Sequence, residues 1–272
     1  MKKNILAHVL LLACAFTSAA ALAAPCAQDD ANSVTGINEC LQVRAFGATG
    51  SPAPKALVVW LHGDVSSGGP AVYHIPLARQ TAQEFGSDKI VSVALVRPGY
   101  PADNGTASSG NNHDRADSYT PENMREVGAA IEHLQQRYHP DKTILVGHSG
   151  GAATSANLLG MMPALAQGAI LVGCPCDINY WRRLRGRSAW LRSEDPSKWL
   201  DKIAPGTLIV AMTGTDDSNT YPAVAKAYVD KVKARGIDIG FVPIDGADHN
   251  SSFRSPLVLD QVGAMLKKLG TD

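Results

Sequence analysis

The feature that most constrains the fold is an alternation of short apolar segments with segments of helical period. Five continuously apolar segments, rich in β-branched residues, lie at 56–61, 90–96, 143–146, 169–172 and 207–212. A sixth, at 237–244, mixes in polar residues and predicts a more exposed last strand. Strands of a parallel sheet covered on both faces have the composition of the first five. The pattern therefore predicts an α/β fold, a mostly parallel central sheet with helices on both faces.

The segments between these strands carry helix signals. Thr120 is a good N-cap and Pro121 suits the first helical position. Apolar residues then recur at helical spacing up to Tyr138. A second helix is predicted from 221 to 232 and ends before Gly236, whereas a third opens at Ser255 and Pro256. Ligands of such sheets bind beyond the carboxyl ends of the strands, so chemistry is expected just after each apolar segment.

The chain has 272 residues, of which 45% are hydrophobic, and no internal repeat. This length and composition predict a single domain, residues 24–272. The formal net charge is zero, and loss of Lys2 and Lys3 with a leader would bring it to about −2. A balance of this kind is not that of a nucleic-acid-binding protein.

The first 23 residues have the layout of a secretory signal peptide. Lys2 and Lys3 precede a long apolar run that ends in small residues up to Ala23. We predict cleavage after Ala23, export to the periplasm or the medium, and no stable membrane insertion afterwards. Two alternatives stay open: an uncleaved membrane anchor, or a lipoprotein whose lipidated residue is Cys14.

Four cysteines remain beyond Cys14, an even number that suits disulfides in an oxidising compartment. Three pairings are possible, and the simplest joins Cys26 to Cys40 and Cys174 to Cys176. The alternative for the second pair is two free buried thiols. The sequence offers no further cluster of ligands for a C-x-C metal site.

Residues 147–151 read Gly-His-Ser-Gly-Gly, directly between a predicted strand and an alanine-rich helix. A serine in this G-x-S-x-G pattern sits on a sharp turn, and the flanking glycines avoid backbone collisions. The first amides of the following helix point at the reaction centre, where they favour negative charge. We therefore predict that Ser149 is a nucleophile.

A nucleophilic serine needs a base and a group that orients the base. His249 follows the last predicted strand and is the candidate base. Asp217, three residues after Gly214, is the favoured acid, while Asp216 and Asp177 remain alternatives. The order serine, acid, histidine along the chain is that of α/β hydrolases.

The tetrahedral intermediate of acyl transfer needs hydrogen-bond donors. The backbone amide of Gly150 is one candidate. The second should come from the loop after the strand at 56–61, where we assign the amide of Asp64, with that of Val65 as the alternative.

Taken together, these motifs resemble the α/β-hydrolase superfamily over about residues 55–270. The resemblance implies a sheet of the eight-stranded type, the triad of Ser149, Asp217 and His249, and hydrolysis of an acyl bond with no cofactor and no metal. Arg97-Pro-Gly-Tyr100 also resembles a loop of esterase- and peptidase-like members, whereas the lid insert, at about 177–203, is shorter than is usual in the family. The superfold does not specify a substrate.

Four residues are candidates for substrate contact: His62, Tyr100, Trp181 and Arg182. The insert holds five arginines and three tryptophans between 179 and 199, and three interpretations stay open. In the first, the segment is a lid helix whose aromatic face packs on the core while the arginines face water. In the second, one of Arg182, Arg183 and Arg185 binds a substrate carboxylate. In the third, the segment contacts an anionic membrane or cell-wall polymer. The polar loop 103–119 is expected at the pocket rim.

The sequence thus predicts an exported serine esterase acting on small soluble esters. A serine peptidase of the aminopeptidase or prolyl-oligopeptidase kind is the first alternative. A non-catalytic binding protein on the same fold is the second. A lipase is disfavoured because the chain lacks a large apolar lid.

Overall fold

The computed structural model describes residues 26, 30–50 and 52–271. The predicted signal peptide, its cleavage site and Cys14 lie outside these residues. Within the described part of the chain, no helix is both long and apolar enough to cross a membrane.

The secondary structure follows the predicted alternation. The strands are β1 (Ser33–Thr35), β2 (Cys40–Gly47), β3 (Ala56–Leu61), β4 (Ile90–Leu95), β5 (Lys142–His148), β6 (Gly168–Val172), β7 (Leu208–Gly214) and β8 (Asp238–Ile244). The α-helices are α1 (Ile75–Glu84), α2 (Pro121–Tyr138), α3 (Gly150–Met161), α4 (Ile178–Leu184), α5 (Pro222–Lys233), α6 (His249–Phe253) and α7 (Pro256–Lys268).

All eight strands form one sheet in the order β1-β2-β4-β3-β5-β6-β7-β8. From β4 to β8 every pair is parallel, whereas β1 and β2 add an antiparallel edge. The predicted α/β-hydrolase fold, a mostly parallel sheet with helices on both faces, is confirmed. The sequence pattern did not predict β1 and β2, because β2 alternates buried with half-buried residues instead of forming a continuous apolar run.

The core has two layers, one on each face of the sheet. Successive residues of β3 alternate between them: Leu57, Val59 and Leu61 pack into one layer, and Val58 and Trp60 into the other. Helices α2, α3 and α5 cover the first face, while α1 and α7 cover the second. Burial on both faces explains why β3 is apolar at every position.

The predicted helix ends are found where the sequence placed them. The Oγ1 atom of Thr120 accepts a hydrogen bond from the amide of Asn123 at 3.3 Å, and Pro121 is the first residue of α2. Ser255 caps α7 in the same way. Helix α6 was not predicted; its five residues are too few for a periodic pattern, although Asp248 and Ser251 form a capping box at its start.

Both cysteine pairs of the simplest predicted pairing are joined. The Cα atoms of Cys26 and Cys40 lie 4.7 Å apart, and those of Cys174 and Cys176 lie 5.1 Å apart. Cys40 begins β2, and Cys176 immediately precedes the insert 177–203. This insert consists of α4, an irregular stretch and two short 3-10 turns. That it acts as a lid remains a prediction.

Candidate active site

The strand order fixes where a ligand can bind. Strands β4 and β5 lie on opposite sides of β3, so the chain direction across the sheet reverses at β3. In open α/β sheets the crevice opens beyond the carboxyl ends of the strands at such a reversal. A cavity of about 850 Å³ lies there, and its lining includes residues that follow β3, β5 and β8. Its volume is in the range of small-molecule sites.

Ser149 occupies the turn between β5 and α3, with φ 53° and ψ −116°. A residue with a side chain rarely adopts this backbone conformation, and such strain is typical of functional turns. The turn is tight because the flanking residues lack side chains. A Cβ atom on Gly147 would collide with the backbone of Ala152, and one on Gly150 would collide with the carboxylate of Asp64. Ser149 is thereby exposed to the cavity.

His249 opens α6 at the cavity wall, and its ring contacts a buried carboxylate. The Nδ1 atom lies 2.8 Å from Oδ2 of Asp217, whose side chain is fully buried. Thr220 donates its hydroxyl to the same oxygen at 2.8 Å. Because a carboxylate only accepts, Nδ1 carries the proton and Nε2 is the basic nitrogen of the neutral ring.

The buried carboxylate of Asp217 is held in its charged form. Burial alone would raise the pKa of Asp217, but the hydrogen bond and charge of His249 and the hydrogen bonds of Thr220 outweigh it and lower the pKa. An ionised Asp217 can stabilise a positive charge on the imidazole.

The two competing acids lie elsewhere. Asp216 is exposed to solvent. Asp177 caps α4 by accepting the amide of Tyr180 at 2.9 Å, and it pairs with Lys231 at 2.5 Å. Of the three aspartates considered from sequence, only Asp217 contacts His249.

Ser149 and His249 both line the cavity, and among the described residues no hydrogen bond joins them. Hydrogen bonds between a nucleophile and its base are often long in the absence of substrate. The pair therefore shares one cavity wall without being in hydrogen-bond contact.

Of the predicted oxyanion donors, Asp64 and Val65 line the cavity, whereas Gly150 is buried directly after the cavity-lining Ser149. The amides of Gly150 and Asp64 have no hydrogen-bond partner among the described residues. Val65, the alternative donor, has a φ of 46°, which is unusual for a β-branched residue. Arg115 fixes this strained turn by donating Nη1 to the carbonyl of Val65 at 2.5 Å.

The side chain of Asp64 has a structural environment of its own. Its Oδ1 accepts from Arg97 at 2.7 Å, and its Oδ2 accepts from the hydroxyl of Tyr119 at 2.7 Å. Burial raises the pKa of Tyr119 further above its usual range, so the phenol remains a donor. The Arg97–Asp64 ion pair is nearly inaccessible to solvent.

A second network passes beneath Ser149. The hydroxyl of Tyr73 accepts from the amide of Gly63 at 2.5 Å and donates to Nδ1 of His148 at 2.7 Å. The Nε2 of His148 then donates to the carbonyl of His249 at 2.9 Å. Burial and the neighbouring His249 lower the pKa of His148 to about 3, so the ring is neutral, as this pattern requires. Sequence reasoning treated His148 as part of the turn only and missed Tyr73.

Two of the predicted substrate-contact residues do not line the cavity. His62 is fully buried; its Nδ1 donates to the carbonyl of Gly63 at 2.6 Å and its Nε2 accepts the amide of Arg97 at 2.9 Å. Tyr100 is also buried and packs against His62 with ring centroids 4.7 Å apart. Both residues support the loops behind the cavity because their polar atoms are used within the protein.

Trp181 and Arg182, the other two predicted contacts, do line the cavity. The loop 103–119 reaches its rim, as expected, and contributes Asp114 and Arg115 to the lining. Among the described residues, no cluster of three or more His, Cys, Asp or Glu side chains is arranged to hold a metal ion.

Comparison with models of protein families assigns the chain to a family of hydrolases. Residues 103–240 match the model of the family described as serine aminopeptidase, S33. The chain belongs to the serine aminopeptidase S33 family. It is therefore a hydrolase of the kind that includes esterases and peptidases. The matched segment contains Ser149 and Asp217, whereas His249 lies beyond its end. A comparison with curated protein sequences finds no match.

Solved structures of this fold include both esterases and peptidases. Est1E from Butyrivibrio proteoclasticus, with bound ferulic acid, is similar with a TM-score of 0.68 at 14% identity, covering 88% of this chain and 99% of that one. The esterase Pf2001 from Pyrococcus furiosus has a TM-score of 0.65 at 15% identity, with coverages of 87% and 90%. The acylaminoacyl peptidase of Pyrococcus horikoshii has a TM-score of 0.63 at 13% identity, with coverages of 88% and 40%. Similarity at these identities concerns the fold.

Proposed function

We propose that this hydrolase is an exported serine esterase that cleaves small soluble esters through an acyl-enzyme on Ser149. The observation that carries the proposal is the serine on its strained turn, facing the same cavity as an imidazole held by a buried carboxylate. A fixed acceptor nitrogen beside a strained, exposed serine is what nucleophilic catalysis needs.

The proposed reaction has two steps. The Nε2 of His249 takes the proton of Ser149 while Oγ attacks the acyl carbon, and Asp217 stabilises the resulting imidazolium. The imidazolium then protonates the leaving alkoxide, and an acyl-enzyme remains. Water repeats the sequence with His249 as base, which releases the acid and restores the serine.

The oxyanion of each tetrahedral intermediate would accept the amides of Gly150 and Asp64. Their lack of other partners supports this role, because an amide already engaged in a hydrogen bond could not turn to the intermediate. Each such donor is worth roughly 10²–10³ in turnover. No cofactor or metal enters the proposed cycle.

Peptide hydrolysis is the second candidate, because the family model is named for aminopeptidases. A peptidase acting at an amino terminus needs an unpaired acid for the substrate's ammonium group. The carboxylate of Asp64 is already engaged by Arg97 and Tyr119, and Asp114 is the other acid on the wall. Arginines outnumber acids in the cavity lining, which is unfavourable for the ammonium group of an aminopeptidase substrate and for the long neutral chains of a lipase substrate.

The test is to label purified protein with a fluorophosphonate probe and to assay p-nitrophenyl acetate beside aminoacyl p-nitroanilides. We expect labelling of wild type and no labelling of Ser149→Ala. The matched control is Ser66→Ala, which removes an exposed serine from the same cavity wall and should leave labelling intact. Faster turnover of the ester supports the esterase, and faster turnover of an anilide supports the peptidase.

A folded wild-type protein that takes no label would contradict the proposed nucleophile and favour a binding role. Label retained in Ser149→Ala would place the nucleophile at another residue. Either result also removes the roles proposed for His249 and Asp217.

Export is part of the proposal and is supported by the leader-like sequence before Ala23 and by the cysteine pairs. Expression of the full chain in a bacterial host should give a periplasmic or secreted protein whose first residue is Ala24. An intact amino terminus in the membrane fraction would favour the uncleaved anchor, and lipid attached to Cys14 would favour the lipoprotein.

A further inference from the structure

The arginines of the insert 177–203 face different surroundings. Arg185 donates to the carbonyl and side chain of Asn219, and Arg192 pairs with Asp117. Arg183 and Arg187 are exposed. These four have solvent or protein partners for their charge, which leaves Arg182 to be explained.

Arg182 is buried, with only 8% of its surface exposed, and it lines the cavity. Its Nε donates to the carbonyl of Ser188 at 2.7 Å, and its guanidinium carbon lies 4.8 Å from the ring centroid of Trp190 and 5.7 Å from that of Trp181. It forms no ion pair with any described residue. The aromatic rings and the single carbonyl orient the guanidinium but do not neutralise its charge.

The surroundings make this charge costly. Burial and the neighbouring Arg187 lower the pKa of Arg182, the direction expected where a cation loses solvent beside a like charge. Arg115 and Arg254 add further positive charge to the same cavity wall, and of its two acids Asp64 is already paired with Arg97. The terminal nitrogens of Arg182 have no hydrogen-bond acceptor within the described ranges. Such a guanidinium is suited to a carboxylate, since its planar fork can donate two parallel hydrogen bonds.

We propose that Arg182 binds a carboxylate of the substrate, so that the preferred esters of Ser149 are anionic. This inference rests on the proposed esterase function. The carboxylate belongs either to the acyl part or to the alcohol part of the ester, and Trp181 and Trp190 cover the apolar portion beside it.

The test compares esters that differ by the carboxylate. On the acyl side, mono-4-nitrophenyl glutarate is paired with 4-nitrophenyl valerate. On the alcohol side, 4-acetoxybenzoate is paired with 4-acetoxybenzamide. The measured quantity is the ratio of kcat/KM for the charged ester to that for the neutral ester, which cancels any loss of folded protein.

For at least one pair, we expect Arg182→Gln to lower this ratio about 10- to 100-fold, the usual effect of a charge-assisted hydrogen bond. Arg182→Lys, which keeps the charge but not the fork, should lower it less. The matched control Arg183→Gln removes the adjacent arginine from the exposed side of α4 and should keep the wild-type ratio. A ratio that stays within about two-fold of wild type in both Arg182 variants, for both pairs, overturns the proposal.

Failure of the proposed function gives a different result, because wild type would then cleave none of the four esters. In that case monomethyl glutarate is titrated against the tryptophan fluorescence of Ser149→Ala and of the Ser149→Ala, Arg182→Gln double variant. Saturable quenching in Ser149→Ala that is absent from the double variant would support the carboxylate site even though the esterase proposal has failed. An equal response of the two proteins would overturn the carboxylate site.

Discussion

Two buried arginines differ in whether a carboxylate compensates their charge: Arg182 lines the cavity, whereas Arg97 lies behind the lining and pairs with Asp64. Arg97, behind the loop that follows β3, has a side chain 4% exposed and donates to Asp64 at 2.7 Å, with the ring of Tyr100 4.9 Å from its guanidinium carbon. Arg182, on the insert, lies over the ring of Trp190 in a similar way, but no carboxylate in the described part of the chain pairs with it.

This difference gives the two residues different roles: Arg97 is a structural residue, and Arg182 is the one we propose to bind a ligand. Both guanidinium groups bear a desolvation cost, and an aromatic face offsets only part of it. Within the protein, Asp64 meets the charge of Arg97 and thereby fixes the loop that carries a proposed oxyanion donor. No carboxylate of the described residues pairs with Arg182, and the substrate carboxylate proposed above would compensate its charge.

The largest effect on stability is expected at the paired arginine. Asp64→Asn leaves Arg97 buried without a counter-charge, so the free energy of unfolding measured in urea should fall by about 3 kcal/mol. Adding Arg97→Met should recover most of that loss, because no buried charge then remains. A loss below about 1 kcal/mol for Asp64→Asn would show that the pair is not structurally important and would end the contrast with Arg182.

The network of Tyr73 and His148 beside the loop that Arg97 supports should also respond to pH, because His148 is held neutral. The pKa of His148 is about 3 in the folded protein and near 6.5 when the ring is free, so the unfolded chain binds the proton first as the pH falls. Stability contributed by the neutral ring is therefore complete above about pH 6.5 and is lost progressively toward pH 3.

Between pH 7 and pH 5 this loss amounts to about 2 kcal/mol for His148. His148→Gln, which cannot titrate, should reduce the pH-dependent loss of unfolding free energy by that amount, whatever its effect at pH 7. The buried His74, whose pKa is also about 3, remains as an internal comparison in the variant. Parallel pH profiles for wild type and variant would mean that His148 is not held neutral.

The smallest effect on the free energy of unfolding is expected at Arg182. Arg182→Gln should change the free energy of unfolding by less than about 1 kcal/mol, since the lost stacking on Trp190 is offset by removal of a desolvated charge and no carboxylate is left alone. Urea denaturation beside Arg183→Gln checks this. A loss of unfolding free energy as large as that of Asp64→Asn would mean that Arg182 stabilises the fold as Arg97 does, and the two arginines would no longer differ in role.

Much of the sheet could be predicted because buried parallel strands leave a strong signal. Each of the strands from β3 to β7 is an apolar run in the sequence, and the parallel edge strand β8 is visibly more polar. The antiparallel strands β1 and β2 gave no such run, since β1 has only three residues and β2 begins by alternating half-buried with buried residues. Helix α6 was too short for a period to show.

The candidate site was predictable to the extent that its residues follow strands. Ser149, Asp217 and His249 each come just after a strand, and the structure brings them to one edge of the sheet. Their roles remain proposals. Tyr73 could not be found in this way, because it lies in the loop before α1 and reaches His148 only through packing.

The sequence by itself determined the succession of strands from β3 to β8, and with it the edge of the sheet at which polar residues gather. Only the tertiary structure decided which of them are paired. Asp64 and Arg97 are 33 residues apart and meet because β3 and β4 are neighbours in the sheet. Arg182 and Arg183 are adjacent in sequence, yet one lines the cavity and the other faces solvent. The sequence specifies the chemistry of each side chain, but the burial and the hydrogen-bond or ionic partners of that side chain depend on which surfaces the fold brings together.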